Sequence, residues 1–508
     1  MLALVLTSKK LYFNMKRMII WSMVLAGMFT IGSCKKEYLQ LNPPSTQTPE
    51  NIFATTKNAW AAVNGMHRML YSQWYSNQAT GGQSGNMIYM DVLGEDFVMT
   101  ANANSWFISE YKWQSNRNDA SSMVRFNYGF YYTFIGNANM IIANIDNATG
   151  SQTDKDYIKG QALAYRAWSY YQMIQLFAPR YVAGGDNSAL GLSLVLAPST
   201  VAIPRNTVEE VYTQINKDLD DALSLLTPIT TRASKSQLNS SVVKGIKARV
   251  ALTQQKWGLA AQMAAEARQG TSLMSTTQYL EGFSDTANPE WIWGVDHRDD
   301  QPTYFFSFYA YLGNFSSTNT RGNPKAIFSK LYAQIKSTDI RKQVWDSTGK
   351  NTSFPLVAGG TRKPYMTRKF LLVNPGNSNG DLVLMRTAEM YLIEAEALAR
   401  VGGKDAEARQ ALFTLANKRD ASYTLSTNSG QSLIDEILIQ RRVELWAEGF
   451  RFYDLKRLNI GLDRTGGNHD NSLAVKMTEA AGTTEWIFLI PKAEIEYSQG
   501  IVVQNPLQ

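Results

Sequence analysis

Val243-Lys244-Gly245-Ile246-Lys247-Ala248-Arg249-Val250-Ala251-Leu252 is followed, after a short break, by Trp257-Gly258-Leu259-Ala260-Ala261-Gln262-Met263-Ala264-Ala265-Glu266-Ala267. Both segments place small residues at helical spacing, which lets two helices approach closely. The same pattern returns at Ala388-Glu389-Met390-Tyr391-Leu392-Ile393-Glu394-Ala395-Glu396-Ala397-Leu398, Gly402-Gly403 and Ala406-Glu407-Ala408-Arg409-Gln410-Ala411-Leu412. Two antiparallel, alanine-rich helices with a glycine turn are the unit of a tetratricopeptide-like repeat. No copy carries the full repeat pattern, but together they predict an all-α, helical-repeat scaffold.

Outward from these pairs, apolar periodicity predicts further helices at about 121–145, 154–178 and 207–226, and the central pair at 240–254 and 256–269. An earlier helix is expected from about Pro49 to Leu70, with Ala59, Val63 and Met66 on one apolar face. Two regions break the pattern. Residues 72–120 hold Gly81-Gly82, many Asn and Ser, and the aromatics Trp74, Tyr75, Tyr89, Trp106, Tyr111 and Trp113. Residues 271–384 are rich in Pro, Gly, Asn and aromatics, with one expected strand at Glu290–Val295, and read as a large irregular insertion against the helices. Loops of this composition are where binding chemistry usually sits.

The one cysteine, Cys34, cannot form an internal disulfide. Its context explains it: Met15-Lys16-Arg17-Met18 is a short basic start, Ile19 to Ile31 is largely apolar, and Ile31-Gly32-Ser33 puts small residues before Cys34. The apolar run is shorter than the ~20 residues that span a bilayer. Residues 1–33 therefore read as a lipoprotein signal peptide whose true start is Met15, with Cys34 as the lipid attachment site. Residues 34–48, with Pro43-Pro44, read as an extended tether, and 49–508 as a single helical domain.

Of the formal charge of +7, Lys9, Lys10, Lys16 and Arg17 lie in the removed segment, which leaves +3. With no basic tract elsewhere, nucleic acid is not an expected partner. Charged residues make up 18% of the chain and aromatic ones 11%, a surface suited to polar, uncharged ligands.

Gln440-Arg441-Arg442-Val443-Glu444-Leu445-Trp446-Ala447-Glu448-Gly449-Phe450-Arg451-Phe452-Tyr453-Asp454-Leu455-Lys456-Arg457 resembles the signature of the SusD/RagB family of outer-membrane nutrient-binding lipoproteins. Met385-Arg386-Thr387-Ala388-Glu389-Met390-Tyr391-Leu392, Arg166-Ala167-Trp168-Ser169-Tyr170-Tyr171, Ile490-Pro491-Lys492-Ala493-Glu494-Ile495 and Gln504-Asn505-Pro506 match too, in the expected order. The resemblance implies about four tetratricopeptide-like helix pairs and a place on the outer membrane facing the exterior. It further implies a TonB-dependent, SusC-like transporter as partner, an oligosaccharide, polysaccharide or in some branches peptide ligand, and neither catalysis nor cofactor.

The residues themselves present no catalytic constellation. His67, His297 and His469 are far apart without metal-ligand spacing. Asn377-Ser378-Asn379-Gly380-Asp381 has the flavour of a calcium loop, but Pro375 stands at the first ligand position. Glu95-Asp96 and Asp299-Asp300 are the carboxylate pairs to test against glycosidase chemistry; adjacent acids more often cap helices or solvate loops.

Arg441, Glu444, Glu448, Arg451 and Asp454 read as a structural ion-pair network. The i,i+3 spacings Arg441–Glu444, Glu448–Arg451 and Arg451–Asp454 suggest the pairing. Trp168, Tyr171, Phe177, Trp257, Tyr391 and Trp446 read as packing residues. Loop aromatics are the better sugar platforms, because a pyranose stacks its C–H face on a flat ring while amides bind its hydroxyls. Trp74, Tyr75, Trp106, Trp113, Tyr304 and Tyr309 are the candidates for glycan binding, with Asn77, Asn102 and Asn104 to supply amides. A helical-repeat scaffold that only joins proteins is the alternative from another class.

Overall fold

The computed structural model describes residues 48–298, 300–301, 303–313, 318–372 and 378–507, apart from the side chains of Tyr304, Thr318 and Asn319. Cys34 and nearly all of the expected tether lie outside the described residues. Of the N-terminal unit, Met1–Asn51, only Thr48–Asn51 are described; the second unit, Ile52–Gln508, holds everything that follows.

Its helices of eight or more residues are α1 (Thr56–Met69), α2 (Gly82–Val92), α3 (Ser122–Asn144), α4 (Gln152–Phe177), α5 (Val208–Leu226), α6 (Ser240–Thr253), α7 (Trp257–Ala267), α8 (Thr387–Val401), α9 (Asp405–Arg419), α10 (Gly430–Glu444) and α11 (Arg451–Leu458). Side chains set the starts of several. Ser121, Ser151 and Asn239 each accept a backbone N–H of the first turn that follows, and Thr207 and Glu210 form a reciprocal capping box at α5. Such caps satisfy donors that a helix cannot pair internally.

From α3 to α9 each helix packs on the next, and α8 also packs on α10. The result is the expected tetratricopeptide-like scaffold. Small residues permit the close approaches: a Cβ on Gly160 of α4 would stand 2.6 Å from Leu226 Cγ of α5. Ala248, Ala260, Ala264 and Ala267 are buried between α6, α7 and α8. A separate apolar cluster joins α8, α9 and α10 through Leu392, Ala395, Leu412, Leu415, Leu433 and Ile437.

The expectation of loop across 72–120 is corrected at α2. All eleven of its residues are buried, so it needs no polar face and displays no amphipathic period. The large insertion also contains regular structure, part of it paired with residues 97–98 of the 72–120 region. Strands β1 (Phe97–Val98), β2 (Trp291–Val295), β3 (Ala326–Ile327), β4 (Trp345–Asp346), β5 (Met366–Thr367) and β6 (Leu382–Arg386) form two antiparallel sheets. One has the order β1-β3-β5-β4; the other pairs the expected strand β2 with β6, Trp291 opposite Arg386. Two-residue strands give no alternation long enough to recognise in sequence.

Candidate functional site

The loop between α1 and α2 folds back on itself. Trp74 N–H donates to Thr80 O at 3.0 Å, and Thr80 Oγ1 donates to Asn77 O at 2.8 Å. Tyr75 and Ser76 have φ of 49° and 52°, the left-handed conformation that lets so short a loop reverse. Trp74 is half-buried, its ring edge-on to Phe130 of α3 at 5.3 Å. Tyr75 is 46% exposed. The Arg125 guanidinium lies 4.9 Å from its ring centroid, and its hydroxyl sits 2.6 Å from where a Cβ on Gly129 would stand. The ring is thus braced by α3 yet accessible.

A second loop meets the first. Tyr71 Oη donates to Gln301 Oε1 at 2.6 Å, and the Tyr71 and His297 rings lie 5.0 Å apart. Gly81 abuts the carbonyl of Phe306, where any Cβ would clash. Phe305, in the short helical turn Tyr304–Phe306, is 50% exposed. The same stretch touches the Trp106 loop, because Tyr311 Oη donates to Trp106 O at 3.4 Å and packs edge-on to Phe107 at 4.7 Å. Phe306 and Tyr311 are five residues apart, on two short helical turns joined at the extended Ser307. Loops bearing Trp74, Tyr75 and the half-buried Trp106 therefore both attach to the segment 304–312.

Two of the six aromatic candidates must be corrected. Trp113 is buried, donating its indole N–H to Leu93 O at 2.9 Å and meeting Trp486 edge-on at 4.8 Å. Tyr309 is buried as well; its hydroxyl donates toward the carbonyls of Phe283 and Asp381. Loop position misled in both cases, because these rings pin their loops to the core. The side chain of Tyr304 lies outside the described residues. Asn77 and Asn102 turn their carbonyl oxygens onto their own loops, toward Ala79 N and Ser105 Oγ. Phe305, Arg125 and Tyr71 were missed by sequence reasoning. Phe305 had a usable signal in its neighbour Tyr304; Arg125 sits in a helix and had none.

The carboxylate pair Glu95-Asp96 is engaged by arginines. Arg442 donates to Asp96 at 2.6 Å and to Glu95 at 3.2 Å, and Arg451 pairs with both. Asp299 lies outside the described residues, and Asp300 has Arg298 3.6 Å away. Ser378 O accepts from Ser307 Oγ at 2.8 Å and Asn379 Oδ1 from Thr303 N–H at 3.2 Å, while the Asp381 carboxylate accepts the N–H groups of Thr286 and His297 at 2.7 Å each.

The five charged residues of the 440–457 segment form buried ion pairs, but not those the i,i+3 spacing suggested. Arg441 pairs with Asp454 at 2.7 Å. Glu444 accepts from Arg386 at 2.5 Å, Arg419 at 3.0 Å and Arg341 at 3.2 Å. Glu448 takes Arg386 and Lys369, both at 2.7 Å, and Arg451 takes Glu95 and Asp96. α10 ends at Glu444 and the turn at Gly449, φ 86°, separates Glu448 from Arg451; Arg441 and Glu444 share α10, and Arg451 and Asp454 share α11, but partners on other segments take each of them instead. Burial alone would raise Glu444, but Arg419, Arg386 and Arg341 hold it well below the ordinary carboxylate range. Asp454 goes down to about 2: burial opposes the shift, and Arg441 and Arg457 outweigh it.

Comparison with known proteins fits this architecture. A family model described as "Starch-binding associating with outer membrane" matches residues 37–252, and one described as "SusD family" matches residues 284–507. SusD-like protein P2 of Formosa agariphila is 25% identical, over 94% of this chain and 97% of that protein. Among solved structures, a SusD-like carbohydrate binding protein from Bacteroides vulgatus superposes with a TM-score of 0.77 at 24% identity, over 88% of this chain and 97% of that one. A laminarin binding SusD-like protein superposes at 0.67 with 20% identity, over 89% of this chain and 100% of that one. The two structural likenesses speak for the fold, and the two models cover most of the sequence between them: the chain belongs to the SusD/RagB family.

Proposed function

We propose that this chain is a noncatalytic, lipid-anchored protein of the outer membrane that captures a glycan and passes it to a SusC-like, TonB-dependent transporter. The observation that carries the reading is the aromatic surface on which Tyr75 and Phe305 are exposed and Trp74 and Trp106 half-exposed, on loops that attach to one segment. Such rings offer the apolar faces that sugars stack on. Family membership and the laminarin binding of a structural neighbour support the ligand class. The ion-paired state of Glu95 and Asp96 speaks against their use as an acid and base pair. Lipid attachment at Cys34 supplies the anchor, and no helix among the described residues is long and apolar enough to cross a membrane.

The test is binding of the chain lacking residues 1–34 to plant, host and microbial polysaccharides, laminarin included, and to peptides, by affinity electrophoresis and calorimetry. Retardation by a polysaccharide that weakens in Trp106→Ala supports the reading. Binding to peptides alone would replace the ligand class, and binding to nothing on the panel would favour a protein-joining scaffold.

A further inference from the structure

Residues 187–204 and 497–508 contain no Asp, Glu, Lys or Arg, in a chain that is 18% charged. The two stretches lie against each other. Tyr497 Oη donates to Thr200 O at 2.9 Å, and the buried Arg205 guanidinium donates to Leu190 O at 3.0 Å and Val503 O at 3.0 Å. That arginine is turned inward, so it cross-links the two stretches without charging their surface. Leu190, Leu196 and Val201 on one stretch and Tyr497, Ile501, Val503 and Leu507 on the other are exposed, seven of the thirteen large apolar side chains exposed among the described residues. Scattered apolar side chains need no explanation, but a concentration without charges marks an interaction face.

The location of this face identifies its occupant. Tyr132 and Asn139 of α3 donate to Ser193 O at 3.0 Å and Val195 O at 2.8 Å, so the first stretch lies along α3. Tyr75 is seated on the same helix at Arg125 and Gly129. On a helix, Gly129 and Tyr132 are three residues apart and therefore neighbours on the surface. The uncharged face thus borders the aromatic surface proposed to hold the glycan, where the body that receives the ligand must come. Neither stretch carries a lysine or arginine of its own, and Arg117, which donates to Pro506 O at its margin, is too little basic charge to draw anionic headgroups or nucleic acid.

We infer that the face formed by residues 187–204 and 497–507 docks an uncharged, apolar protein surface of the transporter that takes over the ligand. This rests on the transporter reading above. Burial of these side chains would hold the partner, and their position beside α3 would keep the aromatic surface turned toward the point of entry.

The experiment uses the full-length, tagged chain in its native outer membrane, solubilised in mild detergent, with co-purified TonB-dependent transporter identified and quantified by mass spectrometry. Val201→Lys with Val503→Lys is compared with wild type and with Val401→Lys, a control at another exposed valine at the end of α8. The expected result is at least a tenfold loss of transporter in the double variant alone, with glycan affinity and thermal midpoint unchanged. Equal recovery from all three overturns the docking face. Failure of wild type to recover any transporter overturns the transporter reading itself. Sedimentation of a wild-type dimer that the double variant dissolves, or flotation of the soluble chain with phosphatidylethanolamine vesicles that it abolishes, also overturns the proposal, in favour of a second copy or the membrane.

Discussion

Arg441 donates Nε to Asp454 Oδ2 at 2.7 Å, thirteen residues along the chain. That bond ties α10 to α11 across the Gly449 turn, and Arg457 extends it by donating to Asp454 at 2.8 Å and to Glu396 of α8 at 2.7 Å. The signature segment is therefore a clamp holding three helices, and its charges are turned inward except at Arg442, whose side chain is 24% exposed.

Glu444 is the test of that clamp. Glu444→Gln leaves Arg386, Arg419 and Arg341 buried with one carboxylate fewer. Removing one partner of a buried ion pair costs about 3–5 kcal/mol, and a loss of this size is expected in urea unfolding. A loss under about 1 kcal/mol would show that the cluster is locally hydrated and unimportant to stability.

Gly449 allows no side chain. Its φ is 86°, its N–H donates to Asp91 at 2.5 Å, and a Cβ would stand 2.9 Å from Met87 Cα in α2. Gly449→Ala is expected to cost about 2 kcal/mol or more, from backbone strain together with the displaced helix. An unchanged unfolding midpoint would rule out the tight approach.

His67 sets a pH dependence. It is buried, with Nδ1 2.7 Å from Tyr165 Oη, and burial lowers its pKa to about 4. Between about pH 6.5 and 4 the unfolded chain holds the proton that the folded chain lacks, so this group makes stability fall as pH drops through that window. Asp91, raised by burial to about 8, acts in the opposite sense between about pH 4 and 8. The difference between wild type and His67→Gln isolates the histidine: the advantage of wild type should shrink by about 3 kcal/mol from pH 7 to pH 4. A difference independent of pH would mean that His67 stays solvated.

Tyr75 and Tyr309 separate binding from packing. Tyr75→Ala should weaken glycan binding roughly fivefold, the worth of one stacked ring, and leave the unfolding midpoint unchanged. Tyr309→Phe removes a hydroxyl bonded to Phe283 O and Asp381 O and should cost about 1–3 kcal/mol of stability at unchanged affinity. The reverse assignment in calorimetry and thermal unfolding would move the ligand surface toward Tyr309.

Much of the scaffold was legible in the residues. Periodic apolar positions and alanines at helical spacing placed α3 to α8 to within a few residues, because those signals act within one or two turns of chain. α2 escaped because a helix buried on every side shows no period. Trp113 and Tyr309 were indistinguishable in sequence from Trp106 and Tyr75, since loop composition does not say which ring turns inward.

By itself the sequence determined the helical class, the family and which charges would be structural, because helix formation, capping and a contiguous signature are local properties. Tertiary structure alone decided which carboxylate each arginine meets, which aromatics reach solvent, and that residues 187–204 and 497–507 share one face. Those outcomes depend on contacts between segments hundreds of residues apart, 297 for Tyr497 and Thr200 and 356 for Arg451 and Glu95, and no local preference encodes them.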